Sequence, residues 1–487
     1  MLRKGFDNEK YLSLQSEKIE ERIASFGDKL YLEFGGKLFD DYHASRVLPG
    51  FEPDSKIKML LNMKDIAEIL VVISANDIEN NKYRSDLGIT YDADVVRLLD
   101  IFKREGLYVG SVVMTMYQPT PRVDAFIRRL EHLGVKVYKH YEIDGYPSDV
   151  QKIVSEEGYG KNEFIPTSRR LVVVTAPGPG SGKMATCLSQ LYHENLRGVK
   201  AGYAKFETFP IWNLPISHPV NVAYEAATAD LSDVNMIDQY HLEAYGVLSV
   251  NYNRDVEIFP VVNAMLEKIL GKSPYKSPTD MGVNMAGFCV VDDEVCREAS
   301  RDEILRRYYD AQCDVRKGRT KKDVARKIEL LMTKMGLSVE DRSSVAPALA
   351  KAEQTGAPAV AIALPDGRIV TGKTSPLLGS SAAALLNALK ALGEIQDEVE
   401  LISPTVIQPI QKLKVNYMGA INPRLHTNEV LMALSICAVE GETARLALDQ
   451  LDKLKGSEVH STVILSEVDL KTFKSLGMRV TCEPIKH

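Results

Sequence analysis

Residues 171–186 read Leu-Val-Val-Val-Thr-Ala-Pro-Gly-Pro-Gly-Ser-Gly-Lys-Met-Ala-Thr, a short apolar run that enters a glycine-rich turn and opens a helix. A turn of this kind is built to hold an anion. Backbone N–H groups of the turn and of the helix N-terminus have no partner inside the chain, and the Lys183 ammonium converges with them. Glycine at 178, 180 and 182 permits positive φ and close approach of a ligand to the backbone. Gly178, Gly180, Ser181, Gly182, Lys183 and Thr186 are therefore the candidate phosphate-binding residues. The pattern departs from the strict nucleotide loop GxxxxGK[ST] at two places: Pro177 stands where the first glycine belongs, and Met184 replaces the hydroxyl that holds magnesium. Thr186 or Ser181 is the available substitute. A nucleotide or another phosphorylated ligand is expected, and the competing reading is a structural glycine turn with Lys183 in solvent.

Two further stretches carry candidate chemistry. In residues 32–51 a Gly-Gly-Lys turn follows a strand-like run, and over these few residues it resembles the opening loop of the amino-acid kinases. There Lys37 is a candidate substrate contact, His43 an acid or base and Arg46 an anion clamp. A solvated turn and helix cap is the alternative. Residues 205–238 follow the glycine loop and carry Asp230, Asp233 and Asp238 within one short stretch. Carboxylates downstream of a phosphate loop are natural magnesium ligands, so Asp230 and Asp233 are the candidate metal residues, with helix capping an equal explanation of either.

Other chemistries lack their residues. His193 and His241 do not stand in an HExxH pair, and no GxSxG elbow occurs, so a metallopeptidase or a serine hydrolase of that type is unsupported. The six cysteines form no CxxC pair, and no structural zinc and no disulfide framework is expected.

The elements that would position these residues follow from periodicity. Runs 30–34, 67–74, 108–116, 135–141, 170–175 and 200–206 are short, rich in β-formers and bounded by Gly, Asp or Pro. Between them, 91–105, 121–133 and 183–195 place apolar residues on one helical face, with further helices around Val222 and over 256–269. Strand and helix in alternation imply a doubly wound, mostly parallel sheet. Such a sheet would aim Lys183 into a cleft at the carboxyl ends of its strands. Residues 1–296 form this large α/β domain. Residues 297–342 are highly charged with a single apolar stripe at Val324, Ile328, Leu331 and Met335, a helical connector. Residues 343–487 form a second, smaller α/β domain, in which Pro365-Asp366-Gly367 joins two strands as a hairpin.

The 487 residues, 45% hydrophobic and 26% charged, allow each domain a substantial core. A formal net charge of -6 lacks the positive field that neutralises nucleic-acid phosphates, so a small phosphorylated ligand is the expected partner and nucleic acid is not. The charged start has no signal-peptide core, and no apolar run approaches the about 20 residues of a membrane span, so a cytoplasmic protein without a membrane partner is expected. A homo-oligomer is left open.

Residues 33–37 (Glu-Phe-Gly-Gly-Lys), 42–46 (Tyr-His-Ala-Ser-Arg), the loop 176–183 and 416–424 (Asn-Tyr-Met-Gly-Ala-Ile-Asn-Pro-Arg) together resemble bacterial uncharacterised protein family 0371, a domain of unknown function, over essentially the whole chain. The resemblance implies a large α/β domain, a helical part and a smaller α/β domain, and no reaction. An ATP-dependent peptidase label attached to some members finds no motif here. From the loop itself the leading expectation is an ATP- and magnesium-dependent enzyme of kinase or ligase type. The alternative is a non-catalytic metabolite-sensing or assembly protein.

Overall fold

The computed structural model describes residues 3–27, 29–36, 38–39, 41–84 and 87–486. The described residues divide into two compact units, one of residues 3–225 and 232–300, the other of residues 226–231 and 301–486.

In chain order the larger unit holds strands β1 (Leu30–Phe34), β2 (Ala67–Ser74), β3 (Tyr83–Arg84), β4 (Ile89–Thr90), β5 (Val109–Thr115), β6 (Val137–Lys139), β7 (Leu171–Thr175), β8 (Gly202–Phe206), β9 (Asn235–Ile237), β10 (Val250–Tyr252) and β11 (Gly282–Val283). Seven of them form one all-parallel sheet in the order β11-β8-β1-β7-β2-β5-β6. β1, β2 and β7 are buried along their whole length, which is why they read as continuous apolar runs rather than alternating ones. On one face Tyr31, Val72, Val174 and Tyr203 pack on Leu188 and Leu191 of the helix Lys183–Leu196 and on Phe259 and Leu266 of the helix Asn253–Leu270. The helix Asn8–Ser25 packs on β8 and β11.

The strand order fixes where a ligand can sit. From β1 the chain moves towards β2, β5 and β6; it then returns to place β7 between β1 and β2, and from β7 it moves the other way to β8 and β11. Right-handed crossovers in opposite directions must lie on opposite faces of the sheet. The loops that leave the carboxyl ends of the neighbours β1 and β7 therefore part from each other, and a crevice opens between them.

The smaller unit holds β12 (Ala359–Ala363), β13 (Ile369–Lys373), β14 (Glu458–Ser461) and β15 (Arg479–Cys482) in the order β13-β12-β14-β15. β12 is antiparallel to both neighbours, and β14 and β15 are parallel. The Pro-Asp-Gly turn forms the expected hairpin, with Gly367 at φ 88° and the Asp366 carboxylate accepting from the Arg368 N–H at 3.0 Å. A separate core gathers Leu385, Leu389, Val430, Leu434 and Phe473. The charged stretch 297–342 is helical, lying in the helices Asp293–Lys317 and Lys322–Lys334 and a 3-10 turn Val339–Asp341. No helix among the described residues is long and apolar enough to cross a membrane.

Candidate functional site

The glycine loop occupies one side of the crevice. It leaves β7 after Thr175 and enters the helix Lys183–Leu196 through Gly182, which caps that helix at φ 88° without any side-chain hydrogen bond. A glycine is needed there: the left-handed conformation disfavours any Cβ, and a Cβ would also lie 3.1 Å from Thr115 Cγ2. The loop is held from its flanks. The Thr115 hydroxyl, at the end of β5, donates to the Ser181 carbonyl at 2.7 Å, and Ser181 Oγ donates to the Gly178 carbonyl at 2.9 Å. Tyr91 leaves Gly178 no room for a side chain, since a Cβ would sit 2.1 Å from its hydroxyl. Lys82 Nζ donates to the Pro179 carbonyl at 3.2 Å and places a second cation at the outer edge.

What this scaffold leaves open is a set of donors. The N–H groups of Gly178, Gly180, Ser181 and Gly182, and those of the first helical turn at 183–185, donate to no acceptor among the described residues. Some are orphans of any helix start. The rest belong to the turn, so the donors concentrate in one half-exposed segment.

Lys183 completes it. Among the described residues no ion pair or side-chain hydrogen bond engages this lysine; the charged side chains that act on it are Glu33, Lys205 and Arg254. Burial lowers its pKa below the ordinary lysine range, with Glu33 opposing and Lys205 and Arg254 adding to the shift.

Beside it stands a buried charged cluster that the motif search did not single out. Glu33 and Lys205 are paired positions in the β1–β8 register. Tyr203 donates to Glu33 Oε2 at 2.7 Å. Lys205 Nζ bonds Glu207 Oε1 at 3.0 Å and also contacts the Asp255 carboxylate and the Tyr252 hydroxyl. Burial alone would lower the Lys205 pKa, but Asp255, Tyr252 and Glu207 outweigh it and hold it well above the ordinary range. Burial pushes the Glu207 carboxyl up, and Asp255 adds to this against Lys205. A carboxyl raised in this way is suited to move a proton near neutral pH. The sequence signal was a lysine at 205 inside an otherwise buried strand with Glu207 two positions on; the partners at 252–255 are too distant in the chain for a local motif.

The other sequence candidates are distributed. His43 packs its ring against Phe209 at 5.1 Å between centroids and Tyr224 at 6.0 Å, close to the end of β8. The Arg46 guanidinium lies 6.0 Å from the centre of the Tyr42 ring. Lys37 lies outside the described residues. Thr186 Oγ1 donates back to the Gly182 carbonyl at 3.0 Å. Asp233 is gripped by Arg254 through two contacts of 2.6 and 2.8 Å, while Asp230 is exposed and falls in the other unit. Asp238 caps the helix Gln239–Tyr245 and accepts from the Thr279 N–H and hydroxyl. Among the described residues no group of three or more His, Cys, Asp or Glu is placed to hold a metal ion.

Comparison with known proteins matches residues 4–336 to the family described as "Domain of unknown function DUF1846, N-terminal" and residues 340–486 to its C-terminal counterpart. The chain belongs to this family. It is 57% identical over 481 residues to a UPF0371 protein of Streptococcus pyogenes serotype M5, covering 99% of this chain and 97% of that one. UPF0371 proteins of Streptococcus thermophilus and Streptococcus uberis are also 57% identical, over 484 and 485 residues, covering 99% and 100% of this chain and 98% of each relative. The two matches divide the chain into an N-terminal and a C-terminal part, and the family description carries no reaction.

Proposed function

We propose that the chain binds a small phosphorylated ligand in the crevice between the loops that follow β1 and β7. The observation that carries this reading is the coincidence of unpartnered backbone donors at 178–185 with an unpaired Lys183 at the reversal point of a parallel sheet. The field there is positive and half shielded from water, so a phosphate gains hydrogen bonds from donors whose only other partner is solvent.

The enzymatic form of the proposal uses the neighbouring cluster. Glu207 would exchange a proton with the ligand's reacting group, while Lys205 and Asp255 hold that carboxyl in place; group transfer of kinase or ligase type with ATP as donor is the reaction class this supports. The non-catalytic form is a sensor of a phosphorylated metabolite. Turnover separates them: phosphate or ADP release from ATP with magnesium, abolished by Glu207→Gln, supports the enzyme, and saturable binding without turnover of any phosphorylated compound supports the sensor.

Binding itself is tested by thermal shift over nucleotides and phosphorylated metabolites, since a ligand at 100 times its dissociation constant adds about 2.7 kcal/mol. Lys183→Ala should lower the affinity of every stabilising compound at least tenfold, because a charge-assisted contact is worth about 1.5 to 3 kcal/mol. The unliganded variant should unfold within a few degrees of the wild type. A variant that binds all of them as tightly as the wild type contradicts the site.

A further inference from the structure

The stretch 416–424, which helps to carry the family resemblance, has no part in the phosphate site. It lies in the smaller unit and joins the helix Pro404–Asn416 to the helix Thr427–Cys437. Among the described residues the five most exposed large apolar side chains are Ile421, Tyr417, Met418, Val439 and Ile436, all between 417 and 439, and Met432 joins them; their exposures run from 62% for Met432 to 99% for Ile421. Met432 and Ile436 lie one turn apart on the outer face of the helix Thr427–Cys437, away from Val430 and Leu434 in the core, and Val439 continues the row just past its end. The loop is tied to the start of that row. The Met418 N–H donates to the Leu413 carbonyl at 3.3 Å and the Ala420 N–H to the Lys414 carbonyl at 3.1 Å, while Lys414 Nζ donates to Glu429 at 2.7 Å. Glu429 stands one turn before Met432 on the same face, so loop and row belong to one surface.

Its size and its composition say what covers it. The six side chains expose roughly 1,000 Å², above the roughly 300 to 600 Å² of the largest apolar patch on a typical monomer and close to the roughly 800 Å² that each partner gives to a standard interface. Over 417–439 the only Lys, Arg, Asp or Glu residues are Arg424 and Glu429. Both are engaged within the unit: Arg424 Nε donates to the Ser375 carbonyl at 2.9 Å, and Glu429 holds the Lys414 ammonium. His426 pairs with Asp469 at 3.0 Å. A nucleic acid, an anionic membrane or a charged peptide finds no complement on such a face. An equal apolar face does, and Tyr and Met are residues that interface cores favour. A second copy of the chain presents that face by symmetry, since a two-fold interface uses the same patch on both subunits.

We infer that the chain forms a two-fold symmetric homodimer through this face, the loop 417–421 and the outer row of the helix Thr427–Cys437 packing on the same elements of a second copy. The inference is independent of the phosphate site.

The test is sedimentation velocity of the full chain over a range of concentrations. At about 10 µM it should sediment with twice the mass of one chain. Ile421→Asp and Ile436→Asp should each raise the dissociation constant at least about a hundredfold, because each places an unpaired charge in an apolar contact. Both side chains are exposed in the single chain, so circular dichroism of the two variants should match the wild type. Leu330→Asp, which changes a leucine 62% exposed on the helix Lys322–Lys334, should leave the dimer intact. A wild-type chain still monomeric at about 100 µM overturns the inference and leaves the face to a different protein. It is overturned equally by a dimer that either aspartate variant keeps at wild-type affinity, or that Leu330→Asp dissociates as readily.

Discussion

At the scale of single residues, the loop stands out because its residues are contiguous: three glycines and a lysine within six positions, after an apolar run, are the pattern on which the proposed anion site rests. The cluster on Lys205 was not, because Lys205, Tyr252 and Asp255 meet only through the fold. Burial also creates properties that composition hides. His140 is 3% exposed, its Nε2 lies 3.2 Å from the Glu163 carbonyl, and burial lowers its pKa from 6.5 to about 4, with the charge of His193 adding to the shift. The folded state thus favours the neutral ring. The associated stability is fully present above pH 6.5 and is lost as pH falls from 6.5 towards 4, by up to about 3 kcal/mol. Denaturant unfolding of His140→Gln should show a flatter stability profile than the wild type across that window. Parallel profiles for the two proteins would mean that the ring is not buried as described.

At the scale of elements, most long strands and helices lie where periodicity places them, since buried strands and amphipathic helices write their pattern into the sequence. β1 and β2 coincide with the runs read at 30–34 and 67–74. Elements too short for a period were missed, such as β11 with two residues. So was the helix Pro404–Asn416, whose Pro409 in the interior reads as a breaker. The loop that carries the site is itself an element under constraint. Gly182→Ala should destabilise the protein by about 1 to 2 kcal/mol, because it forces a side chain into the left-handed region against Thr115. The same change should weaken phosphate binding, since the first-turn donors are aimed by that cap. A Gly182→Ala protein with wild-type midpoint and wild-type affinity would show that the cap is not required.

At the scale of the whole molecule, alternation of strand and helix revealed a parallel sheet but not its order. Nothing local records that β7 returns to lie between β1 and β2, and that return is what creates the crevice. The smaller unit was legible as a separate domain because its hairpin and its helices supply their own apolar residues; its core draws on residues between Cys313 and Cys482. A fragment of residues 301–487 should therefore fold alone and unfold in one cooperative transition by circular dichroism. A fragment that melts without a transition would contradict that independence.

The central claim is that backbone N–H groups at 178–185 receive a phosphate, and amide chemical shifts report this most directly. With glycine and serine labelled by nitrogen-15 in the full chain, titration with glucose 6-phosphate or inorganic phosphate should move the amide resonances of Gly178, Gly180, Ser181 and Gly182 to saturation, with other glycines unmoved and with Lys183→Ala needing at least tenfold more ligand for the same movement. Saturable binding that leaves these four resonances in place, while glycines elsewhere shift, would contradict the account.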